Sequence, residues 1–382
     1  MDKALVSFLT DINHHMLVAS KILGINKVIA LIEQGNEVGD KLEVFQEHIK
    51  ENLPGLVIEY FNYSCNEASL IGVLNKISSK YDIVIDATNG PTLPILLLNN
   101  FVSQNLVPII YVDIDQKVYY YIKGEKIAKH QGFAELKIED IMAGSGTSIV
   151  SSSTQYYQSE DILDYINVIE NNYIPFRTFQ SIMKTPARVR ANYPSDFVIT
   201  VSLNYLSEED KNEFIHIASQ LQYMKLIDYE LKDLNLYMHF KNLQFRNIIM
   251  TAGSWLEAIT YNCVKHIEAV DDAESGVVFM WDADLINITN EIDVMAALDS
   301  RLVYISCKDT QNLNTYMLNE IELYAEKLGG QDAIKIMVLS DKPTNEVFVQ
   351  RAVEMGIQVI YFNGNTKIFE NTLSKAFYHA KI

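Results

Sequence analysis

The strongest constraint on the fold is the alternation of short apolar strands with helical segments over residues 1–125. Short apolar strands separated by helices are typical of a parallel, doubly wound sheet. The sequence therefore predicts an α/β fold, and the Tyr-rich run that follows predicts a closing antiparallel hairpin. The strand-like runs are 3–9, 27–33, 56–63, 82–88 and 106–114, and the clearest helical segments between them are 13–24 and 66–81.

Two loops of this predicted sheet carry small polar side chains. In a sheet of order 3-2-1-4, ligands bind where the strand order reverses, beyond the carboxyl ends of strands 1 and 4. Both loops precede helices, whose N-terminal amides bind anions, although Asn-Gly is also typical of an ordinary turn. The absence of a G-x-G-x-x-G or Walker pattern argues against classical NAD or ATP binding. The candidate ligand-binding residues are Thr10, Asp11, Asn13, Thr88, Asn89, Gly90 and Thr92.

A Ser/Gly-rich stretch at 143–154 marks the most plausible domain boundary. We therefore expect an N-terminal domain over 1–150, a connector over 151–245 and a C-terminal domain over 246–382. The connector contains a basic segment without acids at 173–193, which could be a solvated connector or could face phosphate. Its cations are Arg177, Lys184, Arg188 and Arg190.

Residues 290–310 predict a β-hairpin with a tight turn at Asp299-Ser300. This register pairs Leu298 with Arg301, and it places Asp293 opposite Ser306 and Glu291 opposite Lys308. Since strand side chains alternate, one face is expected to be apolar and the other to be a cluster of ionisable groups. The apolar face would comprise Ile292, Val294, Ala296, Val303, Ile305 and Cys307.

The ionisable face of the hairpin suits metal-dependent phosphodiester cleavage. Carboxylate and carbonyl oxygens hold Mg²⁺ or Mn²⁺, and a lysine can orient water and stabilise charge on the phosphate. Asp293, the backbone at Ser306-Cys307 and Lys308 supply these groups. An ordinary amphipathic hairpin with solvated charges is the alternative. Asp282 and Asp284 also share a strand face, most simply as a polar strand end facing water.

The hairpin resembles the PD-(D/E)xK core of restriction-endonuclease-like enzymes. In that core an acid ends one strand and (D/E)-x-K lies on the next, while the preceding helix often adds another acid. Here the resemblance implies catalytic roles for Glu257, Asp293, Ser306 and Lys308, and metal binding by Glu257, Asp293, Ser306 and Cys307. Ser306 departs from the pattern because it stands where the family has an acid. This departure weakens metal binding at that position unless a hydroxyl, a backbone carbonyl or Glu291 substitutes.

The N-terminal loops resemble those of CARF domains, which are Rossmann-like nucleotide sensors. Thr88-Asn89-Gly90-Pro91-Thr92 matches most of their Thr-Gly-Gly-Thr-Lys-like loop, without the lysine. Taken together, the chain resembles type III CRISPR-associated nucleases that join a CARF sensor to a PD-(D/E)xK domain. The resemblance implies activation by cyclic tetra-adenylate, a cyclic oligoadenylate second messenger, across a homodimer. It also implies Mn²⁺- or Mg²⁺-dependent cleavage of DNA, RNA or both.

Two other functions stay open at this stage. Ser306 makes a catalytically inactive CARF sensor or regulator conceivable, and a ligand-independent repair or restriction endonuclease would need only the C-terminal region. The net charge of −18 argues against broad adhesion to nucleic acid. Three cysteines without metal or disulfide spacing suggest a reducing, cytoplasmic location, and no apolar run is long enough to predict a membrane span.

Overall fold

The computed structural model describes residues 1–35, 39–191, 197–281 and 289–378. Its N-terminal part is a seven-stranded sheet of order β3-β2-β1-β4-β5-β6-β7, in which β1 to β5 are parallel and β6 and β7 are antiparallel. The strands are β1 (Lys3–Phe8), β2 (Lys27–Glu33), β3 (Val57–Tyr63), β4 (Asp82–Asp86), β5 (Ile109–Asp113), β6 (Val118–Lys123) and β7 (Lys126–Gln131). The helices are α1 (His14–Leu23), α2 (Gly39–Asn52), α3 (Glu67–Ser78) and α4 (Thr92–Asn105).

The order of this sheet confirms the predicted α/β class and the doubly wound arrangement. Strand order reverses between β1 and β4, which lie side by side in parallel. The central strands are almost continuously buried, as expected when helices cover both faces of a parallel sheet. The loops after β1 and β4 therefore lie together at the carboxyl edge, where the sequence places its ligand-binding residues.

The middle of the chain contains a four-stranded antiparallel sheet of order β11-β12-β10-β9 surrounded by helices. The Ser/Gly-rich boundary stretch is not an open linker, because it includes β8, which pairs with β13 of the next sheet. The elements are α5 (Ile138–Gly144), β8 (Ser148–Ser151), α6 (Thr154–Tyr157), α7 (Glu160–Asn171), α8 (Tyr173–Met183), β9 (Val189–Ala191), β10 (Val198–Ser202), α9 (Glu208–Tyr223), β11 (Ile227–Lys232), β12 (Asn235–Phe240) and α10 (Leu243–Met250).

The C-terminal part is a mixed six-stranded sheet of order β17-β16-β15-β14-β13-β8. Its elements are α11 (Ser254–Lys265), β13 (Asp272–Met280), β14 (Thr289–Leu298), β15 (Arg301–Lys308), α12 (Thr315–Gly329), a 3-10 turn (Gly330–Asp332), β16 (Ile334–Leu339), α13 (Glu346–Glu354), β17 (Ile357–Tyr361) and α14 (Thr366–Tyr378). Asp282 and Asp284 lie outside the described residues.

Strands β14 and β15 form the predicted hairpin with the predicted register. Leu298 pairs with Arg301, and Val294 pairs with Ile305 further along. Both turn residues have positive φ, 51° for Asp299 and 67° for Ser300, as a two-residue turn with the twist of a hairpin requires. The backbone N–H of Asp299 donates to Asp271 Oδ2 at 2.7 Å, which supports this turn without a glycine.

The predicted ionisable face of the hairpin is wrong along most of its length, because the C-terminal sheet is buried on both faces. Two apolar clusters cover it. The middle-facing core contains Phe176, Leu256, Val294, Ile305 and Val338. The N-terminal-facing core contains Leu5, Val28, Ile292, Met295, Leu302 and Met337, so Ile292 also departs from its predicted face. The charged side chains of the hairpin lie at its open end and at its turn, where Asp299 and Arg301 are.

None of the described helices is long and apolar enough to cross a membrane.

Candidate active site and ligand pocket

The open end of the hairpin brings four predicted site residues together around one carboxylate. Asp293 Oδ2 accepts from the Ser306 hydroxyl at 3.2 Å and from the Cys307 backbone N–H at 2.6 Å. Lys308 Nζ lies 3.6 Å from the same oxygen. All three groups contact Oδ2, so Asp293 is held in place through one of its two carboxylate oxygens.

Glu257 faces this group from the first turn of α11, the helix that follows Gly253. The Tyr157 hydroxyl donates to Glu257 Oε2 at 3.1 Å. Burial, followed by repulsion from Asp293, raises the pKa of Glu257 to about 8, with a further contribution from Glu291. The carboxyl groups therefore lie so close together that Glu257 keeps its proton near neutral pH, and a bound cation would displace that proton.

Lys308 is the cation of this site. Burial opposes its charge, but attraction to Asp293 and Glu320 outweighs burial and raises the pKa of Lys308 above its ordinary value. The side chain therefore stays protonated near neutral pH. The thiol of Cys307 points instead into the middle-facing core, so only the backbone of Cys307 is available to the site.

The donor set of this site fits a divalent cation in part. Glu257 and Asp293 supply carboxylates whose mutual repulsion a cation would relieve, and oxygen-rich sites suit Mg²⁺ and Mn²⁺. Across the described ranges, no three His, Cys, Asp or Glu side chains form a ready ligand cluster. A third ligand would have to come from the Ser306 hydroxyl, a backbone carbonyl or Glu291.

Sequence reasoning missed a second carboxylate cluster centred on Asp309, the residue directly after Lys308. Asp309 accepts from Arg177 Nη1 at 3.0 Å and from Trp255 Nε1 at 2.9 Å, and it also contacts the Lys184 ammonium. Burial alone would raise the pKa of Asp309, but hydrogen bonds led by Lys184, with Trp255 and Arg177, lower it to about 2. Its adjacency to Lys308 was the one available signal in the sequence.

This cluster accounts for much of the basic segment at 173–193. Arg177 also binds Asp341 at 2.6 Å and lies over the Trp255 ring. Arg188 donates to the Asn204 carbonyl at 2.6 Å. Three of the four cations therefore hold protein groups together, which favours the structural interpretation over a phosphate-facing surface for those three.

The two predicted ligand loops contact each other directly at the sheet edge. Asn89 Nδ2 donates to Thr10 Oγ1 at 2.9 Å and to the Ile12 carbonyl at 2.6 Å. Thr88 joins β4 to β5, because its hydroxyl accepts from the Val112 N–H at 3.0 Å. Asn89 therefore holds the two loops in register.

A cavity of ≈ 610 Å³ opens beside these loops. Thr10, Asp11, Thr88 and Asn89 line it, together with residues from β5 and the loop after it. The opposite wall comes from α12 and the 3-10 turn of the C-terminal part, so the cavity lies between the two parts. Its acidic lining residues are Asp11, Asp113, Asp115, Glu326 and Asp332.

Three other predicted ligand-binding residues do not line this cavity. Asn13 is buried and donates to the carbonyls of Thr10 and Gly144, at 2.7 and 3.2 Å. A side chain at Gly90 would meet Phe8 and Ile95 at 3.1 and 3.2 Å. Thr92 is exposed at the first position of α4. Asn13 and Gly90 therefore shape the loops, while Thr92 faces outward beside them.

The turn end of the β14–β15 hairpin contacts the N-terminal part. Arg301 forms an ion pair with Asp115 at 3.0 Å, and Lys117 forms one with Asp299 at 2.7 Å. The Ser300 hydroxyl donates to the Ala134 carbonyl. Since Asp115 also lines the cavity, one hairpin connects the cavity wall to the strand end that carries Lys308.

Residues 246–377 match the family model of the Card1-like endonuclease domain. The fold of nearly the whole chain is similar to that of protein VC1899 from Vibrio cholerae, with a TM-score of 0.75, 17% identity and coverage of 99% of this chain and 98% of that one. It is also similar to Can2 from Sulfobacillus thermosulfidooxidans, solved in complex with cyclic tetra-adenylate, with a TM-score of 0.70, 16% identity and coverage of 98% of both chains. No curated protein sequence matches the chain.

These similarities confirm the resemblance to CARF nucleases inferred from the sequence. Residues 246–377 are similar to Card1-like endonuclease domains, and the whole chain has the fold of the two solved proteins.

Proposed function

We propose that the chain is a metal-dependent nuclease that cyclic tetra-adenylate activates. The observation that carries the proposal is the placement of Asp293 and Lys308 beside the buried Glu257, inside the region that matches a Card1-like endonuclease domain. Residues 1–150 are proposed as the sensor, 151–245 as the connector and 246–382 as the nuclease domain. The substrate is DNA, RNA or both.

Each residue of the site has a distinct role in this proposal. Glu257, Asp293 and the backbone at Ser306-Cys307 would hold Mn²⁺ or Mg²⁺. When bound, the ion would polarise the phosphate and make a neighbouring water molecule more acidic. Lys308, kept charged by Asp293, stabilises negative charge on the phosphate. The Ser306 hydroxyl fixes Asp293 Oδ2, so it acts as a positioning group where related cores carry an acid.

The cavity at the sheet edge is proposed as the activator site, as Can2 with its bound cyclic tetra-adenylate suggests. Adenine amino groups are donors, which suits the carboxylates of the cavity wall. Phosphates suit the neighbouring N-terminus of α4, whose cap position, Pro91, provides no side-chain hydrogen bond. Thr92 and the Asn89 loop would then contact different parts of one ligand.

A second copy of this chain is proposed to complete the activator site. Leu93 and Leu96 lie three positions apart on α4, next to the ligand loops, and are 55% and 65% exposed. Two-fold association through this face would place two cavities around one cyclic ligand of matching symmetry. Leu96→Glu should give a monomer by light scattering and weaken the activator response, whereas an unchanged dimer with an unchanged response would contradict this interface.

Activation can reach the nuclease site through the hairpin. Asp115 lies in the cavity wall and is ion-paired to Arg301 at the start of β15, and Lys308 lies at the other end of that strand. A ligand shifts an equilibrium only by its differential affinity for the two states. The proposal therefore requires the activator to bind better when the Asp115–Arg301 contact takes one of two arrangements.

The test is cleavage of labelled single-stranded DNA and RNA by the purified protein, with Mn²⁺ and cyclic tetra-adenylate added separately and together. We expect cleavage only when both are present, and none in EDTA. Asn89→Ala should raise the activator concentration needed by roughly tenfold, which is a typical coupling between sites. Thr92→Val, at the exposed position, is the milder comparison.

The outcomes separate the alternatives. Activator binding without any cleavage would favour an inactive sensor, as Ser306 in the place of an acid would permit. Equal cleavage with and without cyclic tetra-adenylate would favour a ligand-independent endonuclease.

A further inference from the structure

A second cleft, of ≈ 630 Å³, adjoins the candidate active site from the side of the connector. Tyr157 belongs to its wall and donates its hydroxyl to Glu257 Oε2 at 3.1 Å. The cleft is thus one side chain away from a catalytic carboxylate. Its main lining residues are Gln155, Tyr156, Tyr157, Ser159, Gln244 and Asn247.

The chemistry of this lining suits a nucleobase better than a phosphate. None of the described residues that line the cleft is Lys, Arg, Asp or Glu, so phosphate would find no charged partner there. Aromatic rings stack on bases, and amide side chains hydrogen-bond to base edges, in proteins that bind unpaired strands. Tyrosine, glutamine and asparagine side chains supply both kinds of contact.

Two hydroxyls of the wall are unsatisfied. Tyr156 Oη and Ser159 Oγ are buried, and neither has a hydrogen-bond partner within the described part of the chain. Buried polar atoms in native proteins are nearly always paired with protein, water or ligand. Both atoms lie beneath the surface of the cleft, so the contacts with an occupant fall to the side-chain amides of Gln155, Gln244 and Asn247 and to the tyrosine rings.

We propose that this cleft binds an unpaired base of the nucleic-acid substrate, adjacent to the bond cleaved at the Glu257–Asp293–Lys308 site. The proposal rests on the nuclease function proposed above and adds how that site selects where to cut. The cleft has the volume of a small-molecule site, which spans about 300–1,000 Å³. A base held there would fix the position of the next phosphate relative to Lys308, so base identity or presence should affect where cleavage occurs.

The experiment uses single-stranded DNA and RNA oligonucleotides in which one abasic position is moved along the strand. Wild-type protein, with Mn²⁺ and cyclic tetra-adenylate, should cleave at least roughly fivefold more slowly when the abasic position is at one fixed distance from the scissile bond. Gln244→Met and Tyr156→Leu should cleave intact strands at that reduced rate and no longer respond to the abasic position. Gln222→Met, an exposed glutamine on α9, is the matched control and should behave as wild type.

Gln244 is exposed, so its variant keeps the test valid even where Tyr156→Leu fails to fold. A wild-type rate that is independent of the abasic position, or variants that retain the wild-type profile, would overturn the base-binding role while leaving the nuclease function in place. Failure of wild type to cleave any intact strand would overturn the proposed function and this inference with it.

Discussion

Two carboxylate clusters lie on either side of Lys308, and their environments shift the pKa values of their carboxyl groups in opposite directions. Asp309 is surrounded by Arg177, Lys184 and the Trp255 N–H, and its pKa falls to about 2. The pKa of Glu257 instead rises to about 8, because Glu257 is buried beside Asp293. Neighbouring carboxylates with divergent pKa values usually have different roles.

The difference indicates which cluster is structural and which can take a ligand. Asp309 is balanced by Arg177 of α8 and by Lys184, the residue directly after α8, and thereby attaches the connector to the end of β15. The pKa of Glu257 is raised by the neighbouring carboxylates of Asp293 and Glu291. Among the described groups that affect this pKa, Lys308 is the only cation. A bound divalent cation would supply the charge that this second cluster lacks.

We call Glu257, Asp293 and Glu291, with Lys308 beside them, the unbalanced cluster. Substitutions in this cluster should have the largest effect on activity. Asp293→Asn and Lys308→Ala should each lower the cleavage rate at least roughly 100-fold, because charge stabilisation at the phosphate is lost. Folding should persist, since both side chains lie at the strand end outside the two apolar cores. Rates are measured at saturating activator and Mn²⁺, and near-wild-type cleavage in both variants would remove the site assignment.

Asp309→Asn should instead act mainly on stability. The change leaves Arg177 and Lys184 without their shared carboxylate, and breaking a buried pair costs about 3 kcal/mol when the cations are partly buried. Denaturant unfolding measures this loss, with Asp341→Asn as the matched control, since Asp341 is more exposed and contacts only Arg177 among these cations. Equal stability of Asp309→Asn and wild type would show that this cluster is not structural.

Asp86 is a third buried carboxyl group to compare with Asp309 and Glu257, and its described hydrogen-bond donors are neutral. It is fully buried and accepts from Ser7 Oγ at 3.0 Å and from the Thr88 N–H at 2.9 Å. Burial raises the pKa of Asp86 to about 6. Because the pKa is higher in the folded state, the protonated carboxyl group of Asp86 contributes to the stability of the fold. This contribution is complete below the pKa of the unfolded state, near 3.9, and is lost as the pH rises through about 6.

Wild type should therefore lose about 2 kcal/mol relative to Asp86→Asn between pH 4 and pH 7. The variant cannot titrate at this position, so the difference in unfolding free energy isolates the one carboxyl group. A wild-type-minus-variant difference that stays constant across this range would show that Asp86 does not titrate there.

The ion pair at the far end of the hairpin should have the smallest effect on the chemistry. Arg301→Met removes the contact with Asp115 in the cavity wall but leaves the strand end at Lys308 unchanged. Activation by cyclic tetra-adenylate should weaken by roughly tenfold, within the usual range of coupling between sites. Mn²⁺ binding should not change. An unaltered activation ratio would exclude the hairpin as the connection.

Local patterns made the fold and the hairpin predictable from the sequence. Strand and helix periodicity determined the doubly wound sheet, and the Asp299-Ser300 turn fixed the register that brings Asp293 against Ser306. Long-range pairing was not predictable. The Arg177–Asp309 contact spans 132 residues, and the wall of the ligand cavity is completed by Asp332. The second apolar face of the hairpin was missed because its packing partners, α5 and α12, are brought onto it only by the fold.

The most direct test of the account is the affinity of Mn²⁺ for the protein without nucleic acid, measured by calorimetry. Wild type and Asp309→Asn should bind Mn²⁺ similarly, because the balanced cluster needs no additional charge. Asp293→Asn should lose at least roughly tenfold in affinity, as expected for removal of an oxygen ligand. Equal binding by Asp293→Asn and wild type would contradict the claim that the unbalanced carboxylates at the hairpin end hold the catalytic cation.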